Sequence, residues 1–256
     1  MTTLNNGEKA VAVLKSLESG DSVAIKSWIN PDKYIQHNLS FPSGRDVMLG
    51  ALDQLKQAGT IVDIKRVLVD GNLVVLHTDY NFFGPKAGFD IFRFENGQIV
   101  EHWDNLQDKV ETTPSGHTMF DGPIESVNAD KTEENKAFVK NFVQDVLMGQ
   151  NPGKLTSYFN GDKYIQHNPA IADGLSGLGA ALEAMAKQGI EMKYDKIHMV
   201  IGQGNFVLAA SEGTFGGTHT SFYDLFRVEN GKIAEHWDVM ETILPKEKWA
   251  NDNGKF

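Results

Sequence analysis

Two aspartates and a histidine, spaced to share one face of a β-hairpin, are the residues of this chain best suited to do chemistry. They are Asp90, His102 and Asp104, in the run Phe89-Asp90-Ile91-Phe92-Arg93-Phe94-Glu95-Asn96-Gly97-Gln98-Ile99-Val100-Glu101-His102-Trp103-Asp104. Side chains alternate along a strand. With Glu95-Asn96-Gly97 as a three-residue loop, Phe94 faces Gln98, Phe92 faces Val100 and Asp90 faces His102. Asp90, Phe92, Val100, His102 and Asp104 then leave one face, and Arg93, Glu101 and Trp103 leave the other. Burial disfavours the charged form of a carboxyl group, whereas a neighbouring imidazole favours it. That opposition makes a general acid or base without a metal or a cofactor. The same Asp–His pair also suits a purely structural hydrogen bond that fixes register, and Trp103 with Phe92 suits a core.

The face is written twice. The run returns as Tyr223-Asp224-Leu225-Phe226-Arg227-Val228-Glu229-Asn230-Gly231-Lys232-Ile233-Ala234-Glu235-His236-Trp237-Asp238, 134 positions later, and brings Asp224, His236 and Asp238 together. Lys33-Tyr34-Ile35-Gln36-His37-Asn38 returns unchanged as Lys163-Tyr164-Ile165-Gln166-His167-Asn168, 130 positions later. A period that long is a whole domain repeated in tandem. His37 and His167 stand just before a loop and read as pocket-rim groups; capping a turn is the alternative. His77 has Ala210 as its counterpart, so it cannot serve a mechanism common to both copies. A metal set of His102, Asp104 and His37 rests on weak spacing, and no metal site is assigned. No phosphate-binding loop or nucleophile elbow is present.

The elements that must position these groups follow one plan in each copy. Ala10, Val13, Leu14 and Leu17 recur at helical spacing, as do Phe138, Phe142, Val146 and Leu147. A short helix from Asp21 to Trp28 precedes the hexapeptide, and a further helix runs from Arg45 to Ala58, matched by Leu175 to Lys187. The period then switches to two. Ile61–Val69, Leu73–Asn81, Gly88–Phe94 and Gln98–Leu106 are predicted strands, matched by Glu191–Ile201, Phe206–Thr214, Thr220–Val228 and Lys232–Glu241. Helices followed by an antiparallel meander define an α+β order. Asp108 to Asp130 reads as a linker, and Pro245 to Phe256 as a tail pinned by Trp249. Domains are drawn at 1–120 and 121–256.

The 256 residues suffice for two cores. Net charge is −10 and is shared: residues 1–120 carry 11 Lys+Arg against 15 Asp+Glu, and the remainder 13 against 19. Neither half offers a basic face, which argues against nucleic acid or an anionic membrane surface as partner. The absence of cysteine removes disulfides and thiol chemistry. Without a leader-like apolar stretch the chain reads as soluble and cytoplasmic.

The repeated hexapeptide, the helix after it, and the Phe/Tyr-Asp-x-Phe-Arg-x-Glu-Asn-Gly-x-Ile-x-Glu-His-Trp-Asp run resemble the SnoaL-like branch of the NTF2-like superfamily, over nearly all of each copy. The resemblance implies two cone-shaped domains, each a curved antiparallel sheet wrapped around helices with a pocket at its open end. Single-domain relatives commonly form homodimers through the sheet, which implies an intrachain pseudo-dimer here, with further homo-oligomers open. It implies acid/base chemistry without a cofactor, of polyketide cyclase, aldol-condensation or isomerase type, on a small apolar carbonyl compound. A non-catalytic binder of small hydrophobic ligands is the alternative, as are an epoxide hydrolase, a dehydratase and a protein-interaction scaffold of the same fold. The acid/base aspartate of the cyclases carries over onto Asp104 and Asp238, and its partner position onto Asp90 and Asp224. Copy two has smaller residues (Ala209, Ala210, Gly213, Gly216, Gly217) where copy one has Leu76, His77, Tyr80, Phe83 and Gly84. Its pocket is therefore expected to be the roomier.

Overall fold

The computed structural model describes residues 4–256. It divides into two compact units, Met1–Asp108 with Ile243–Phe256, and Lys109–Thr242. In unit 1, α1 (Asn6–Ser19) begins at a capping box. Asn5 Oδ1 accepts from the Glu8 amide at 3.0 Å and Glu8 Oε2 accepts from the Asn5 amide at 2.8 Å. The helix ends at Gly20, whose φ of 73° closes the last turn. There follow α2 (Val23–Trp28), β1 (Ile35–Gln36), α3 (Arg45–Gln57) and the meander β2 (Ile61–Asp70), β3 (Leu73–Asn81), β4 (Pro85–Glu95) and β5 (Gln98–Asp108).

Unit 2 repeats the plan. α4 (Thr132–Phe142) runs on into a π turn at Val143–Leu147, and a 3₁₀ segment, Pro152–Tyr158, stands in place of α2. Then come β6 (Ile165–Gln166), α5 (Gly174–Lys187), β7 (Met192–Gln203), β8 (Phe206–Phe215), β9 (Thr218–Glu229) and β10 (Lys232–Thr242). The strand orders are β1-β5-β4-β3-β2 and β6-β10-β9-β8-β7. Among the described strands, only the two-residue one is parallel to its neighbour in each sheet; the rest are antiparallel. Each unit is therefore α+β, with helices laid on one face of a five-stranded mixed sheet. The core lies between them, around Val13, Leu14, Val74 and Phe92 in unit 1 and Val139, Phe142, Val207 and Phe226 in unit 2.

The last hairpin differs in register from the sequence reading. Glu95 pairs directly with Gln98, so the turn is two residues, Asn96 (φ 49°) and Gly97 (φ 78°), both in the left-handed region. Positive φ at both positions is the turn that matches strand twist, and Asn-Gly is its preferred sequence. Phe94 then faces Ile99, and a bulge at Val100 precedes the pairs Arg93–Glu101, Phe92–His102, Ile91–Trp103 and Asp90–Asp104. The shorter turn alone would have sent His102 and Asp104 to the wrong face. The bulge restores the phase, and Val100 rather than His102 or Asp104 absorbs the extra position. Unit 2 repeats both features, with Asn230-Gly231 as the turn and the bulge at Ala234.

Candidate active site

With that register, β4 and β5 set Asp90 opposite Asp104 and place His102 one step along, diagonal to Asp90. The His102 Nε2 lies 2.9 Å from Asp90 Oδ1, and Nδ1 lies 2.9 Å from Gln36 Oε1. The other carboxylate accepts from Asn38 Nδ2 at 2.6 Å. Unit 2 reproduces this with His236 3.0 Å from Asp224 Oδ1 and 3.0 Å from Gln166 Oε1, and Asn168 Nδ2 donating to Asp238 Oδ2 at 2.6 Å. Gln166 Oε1 also accepts from the Asn168 amide at 3.0 Å while its Nε2 donates to the Tyr164 hydroxyl at 3.0 Å. The amide is thereby oriented, so His236 Nδ1 must donate to it. Nε2 donates in turn to Asp224, which makes His236 an imidazolium held against a carboxylate.

The electrostatics agree. Burial pulls the His236 pKa down, but the hydrogen bond to Asp224 and the charges of Asp238 and Asp224 outweigh it, and the value rises above the ordinary one. Asp238 is pushed up to about 6, first by burial and then by the Asp224 charge, against the pull of His236. Asp90 is raised by burial, partly offset by His102. The phenols Tyr34, Tyr80, Tyr164 and Tyr194 are all raised by burial and by the neighbouring aspartate charges, so they stay neutral hydrogen-bond donors. Asp104 Oδ1 and Asp238 Oδ1 are buried and accept no hydrogen bond among the described residues.

Each trio forms the polar end of an otherwise apolar cavity between sheet and helices. In unit 1 the cavity is about 50 Å³, walled by Leu14, Leu17, Met48, Leu55, Tyr80 and Phe82. In unit 2 it is about 340 Å³, walled by Phe142, Leu178, Leu182, Met185, Tyr194 and Phe215. An apolar cavity of roughly 150 Å³ accommodates benzene, so only the second can take a ligand of that size. The second pocket is the roomier, as expected, but only part of the expected reason holds. None of the five small residues of copy two lines the cavity. Gly216 and Gly217 make the β8–β9 turn, whereas Gly213 matters because it stands where unit 1 has Tyr80.

His37 and His167 do not line the cavities, which corrects their reading as rim groups. Tyr34, Gln36 and Asn38 point inward, and alternation sends His37 to the outer side of the sheet with Glu101 and Trp103. There His37 Nε2 donates to Glu101 Oε1 at 2.9 Å, the ring stacks on Trp103 at 4.8 Å, and Arg93 Nε donates to Glu101 Oε2 at 2.6 Å. His167 repeats this with Glu235 at 2.8 Å, Trp237 at 4.6 Å and Arg227 Nε donating to Glu235 at 2.7 Å. His77 also lies off the cavity, stacked on Phe89 and 3.1 Å from Arg66 Nη1.

Three inward groups were missed in the sequence, Tyr34/Tyr164, Gln36/Gln166 and Asn38/Asn168, while Tyr80 was read only for its size and Tyr194 not at all. The three lie in the repeated hexapeptide, so the signal was present. Which alternate set turns inward depends on the parallel pairing of Gln36 with His102 and of Gln166 with His236. The donor atoms of Asp90, His102 and Asp104, and of Asp224, His236 and Asp238, lie within 4.8 Å of one another. A divalent ion suited to imidazole and carboxylate could be held there only by giving up the His–Asp hydrogen bond.

No family model matches the chain, and a search of the curated proteins gives no match. Among solved structures it is similar to an NTF2-like protein from Cytophaga hutchinsonii, at 16% identity and a TM-score of 0.35, over 41% of this chain and 93% of that one. It is also similar to a candidate polyketide cyclase from Bacillus cereus, at 18% identity and a TM-score of 0.35, over 41% and 79%. A candidate ketosteroid isomerase from Kribbella flavida is similar at 14% identity and a TM-score of 0.35, over 45% and 83%. Among the described residues no helix is long and apolar enough to cross a membrane.

Proposed function

We propose that unit 2 houses a cofactor-independent acid–base site for a small, largely apolar carbonyl compound, with Asp238 as the proton acceptor. One observation carries this reading. Asp238 sits at the polar end of a cavity of about 340 Å³, with a buried oxygen that accepts no hydrogen bond among the described residues. Its pKa of about 6 keeps it ionised at neutral pH while leaving it basic enough to accept a proton.

Asp238 takes a proton from a carbon next to the substrate carbonyl; the C–H electron pair forms the C=C bond and the carbonyl π pair moves onto oxygen to give an enolate. The Tyr164 oxygen already accepts from Gln166, which leaves its own proton for the enolate oxygen. The imidazolium of His236, oriented by Asp224 and Gln166, adds a fixed positive charge nearby. Protonated Asp238 then returns the proton to carbon, or the enolate carbon attacks a second carbonyl and the alkoxide so formed takes the proton back from Asp238. Asp104, His102 and Asp90 form the corresponding set in unit 1.

The test needs no knowledge of the natural product. Small apolar ketones are incubated with the protein in deuterated water, and exchange at the α-carbon is followed by proton NMR. Enhanced exchange that rises with pH through about 6 and disappears in Asp238→Asn is the expected result. Saturable binding without any exchange would replace the enzyme reading with that of a ligand-binding protein.

A further inference from the structure

A further segment packs against the hexapeptide of each unit, and the two segments differ at one buried step. In unit 1 the segment is the tail. The Ala250 amide donates to Leu39 O at 2.8 Å, Asn253 Nδ2 donates to Gln36 O at 2.9 Å, and His37 Nδ1 donates to Gly254 O at 2.8 Å. The next residue is Lys255, only 4% exposed, whose Nζ lies 3.7 Å from Asp104 Oδ1. That distance is an ion pair, longer than a hydrogen bond. In unit 2 the segment is Lys109 onward. Ser115 Oγ donates to Gln166 O at 2.7 Å, and His167 Nδ1 donates to Thr118 O at 2.7 Å. The next residue there is Met119, 2% exposed, whose sulfur accepts from the Val110 amide. At the same step, one unit has an ammonium group and the other a thioether.

A cation in a dry site favours the ionised form of a nearby carboxyl group and weakens it as a base. Apart from His167, the other groups about the two carboxylates correspond. Asp104 is faced by Asp90 from β4, His102 from β5, Tyr80 from β3, and Tyr34 and Asn38 from the β1 segment. Asp238 is faced by Asp224 from β9, His236 from β10, and Tyr164, His167 and Asn168 from the β6 segment, with Tyr194 reaching in from β7. His167 adds a histidine charge on the Asp238 side, and the lysine within 4 Å of Asp104 is the charge that differs at the step where the two segments diverge.

We propose that this step is a positioning position that decides which unit exchanges protons: Lys255 holds Asp104 as a paired anion, and Met119 leaves Asp238 able to take up a proton and give it back. The inference rests on the acid–base reading of unit 2 and assigns the two copies different work. Unit 1 keeps the trio as a neutralised, closed structural element, and unit 2 carries turnover.

The test moves the charge in the full-length chain and reads it without substrate. In Met119→Lys, the carboxyl carbon of Asp238, followed by carbon NMR, is expected to titrate at least one unit below its value of about 6. α-Proton exchange should slow about tenfold or more, as expected of a weaker base. A midpoint unmoved in a folded Met119→Lys protein overturns the proposal. Lys255→Met supplies a second arm should the buried lysine prevent folding. It is expected to lower Tm more at pH 8 than at pH 5, and Asp104→Asn added to it should restore most of the loss. A loss equal at both pH values and not restored by Asp104→Asn would also overturn it. Because midpoints and melting are read without ligand, a wild type that exchanges no ketone proton counts against the proposed function alone.

Discussion

The two units deliver the same phenol from different strands. In unit 1, Tyr80 on β3 donates to Asp90 Oδ2 at 2.6 Å. The position paired with it on β2 is Val62, and Gly88 lies close beneath the ring on β4, where a Cβ would come within 2.9 Å of Tyr80. In unit 2 the equivalent of Tyr80 is Gly213, and its partner on β7 is Tyr194, which reaches Asp224 at 3.2 and 3.4 Å. The equivalent of Gly88 is Phe222, stacked on Tyr194 at 4.3 Å. Val-Tyr-Gly across three strands has become Tyr-Gly-Phe. The hydroxyl on the aspartate survives although no residue at these three positions does. What is retained is a donor to the buried carboxylate and a full aromatic layer; what changes is the space left beside them.

The largest effect that could break this comparison lies in the carboxylates. Asp238→Asn should reduce α-proton exchange by roughly 10²- to 10⁴-fold, the usual range for a general base, while Asp104→Asn changes it less than about twofold. Equal losses, measured by the same exchange assay, would show two equivalent sites.

The next effect is on stability and carries a sign. Asp238 has a folded value of about 6 against an ordinary 3.8, so between these the folded state retains a proton that the unfolded state has released. Stability from this group falls as pH rises across that window, and the full cost stands above it. Asp238→Asn, which cannot ionise, should therefore stabilise the protein at pH 8 by up to about 3 kcal/mol and leave it nearly unchanged at pH 3.5. Part of the gain is returned because His236 loses a neighbouring anion that raises its own pKa. Urea melts at the two pH values check it, and a destabilised Asn variant at pH 8 would refute the assignment of Asp238 as a strained carboxylate.

Phenol removal should be smaller and unequal. Tyr80→Phe strips a short hydrogen bond from a buried carboxylate and is expected to cost about 2–3 kcal/mol. Tyr194→Phe loses only long contacts and should cost about 1 kcal/mol. Denaturant melts of the two variants that coincide would undo the distinction. The smallest and sharpest test grafts the strand exchange: Val62→Tyr with Tyr80→Gly in unit 1 should keep the donor to Asp90 and enlarge its cavity. A crystal structure of the variant, or newly gained binding of a benzene-sized apolar probe, reads the outcome.

Much of the site was legible in the sequence. The paired runs ending at Asp104 and Asp238 located both trios, because strand alternation is indifferent to the exact turn once the bulge restores its phase. The turn was not legible in detail. Glu95-Asn96-Gly97 admits a two- or three-residue loop, and only pairing across the sheet reveals that Val100 is extra. The outward turn of His37 was hidden for a similar reason, since a two-residue strand is assigned its faces by its neighbour. The exchange of Tyr80 for Tyr194 was harder still. Each tyrosine aligns with a residue that has no hydroxyl in the other copy, Gly213 or Val62, so a position-by-position comparison sees two losses where the folded unit has one conserved hydroxyl.

The division of the chain also bears on the order in which the protein is made. Domains generally fold from the N-terminal end as they emerge from the ribosome. Here unit 2 consists of one continuous stretch, Lys109–Thr242, whereas unit 1 needs Ile243–Phe256, with Lys255 among them. Every residue of unit 2 is thus available before unit 1 receives its last segment. The earlier half of the chain waits on the later one, with Asp104 lacking its lysine for as long as that takes.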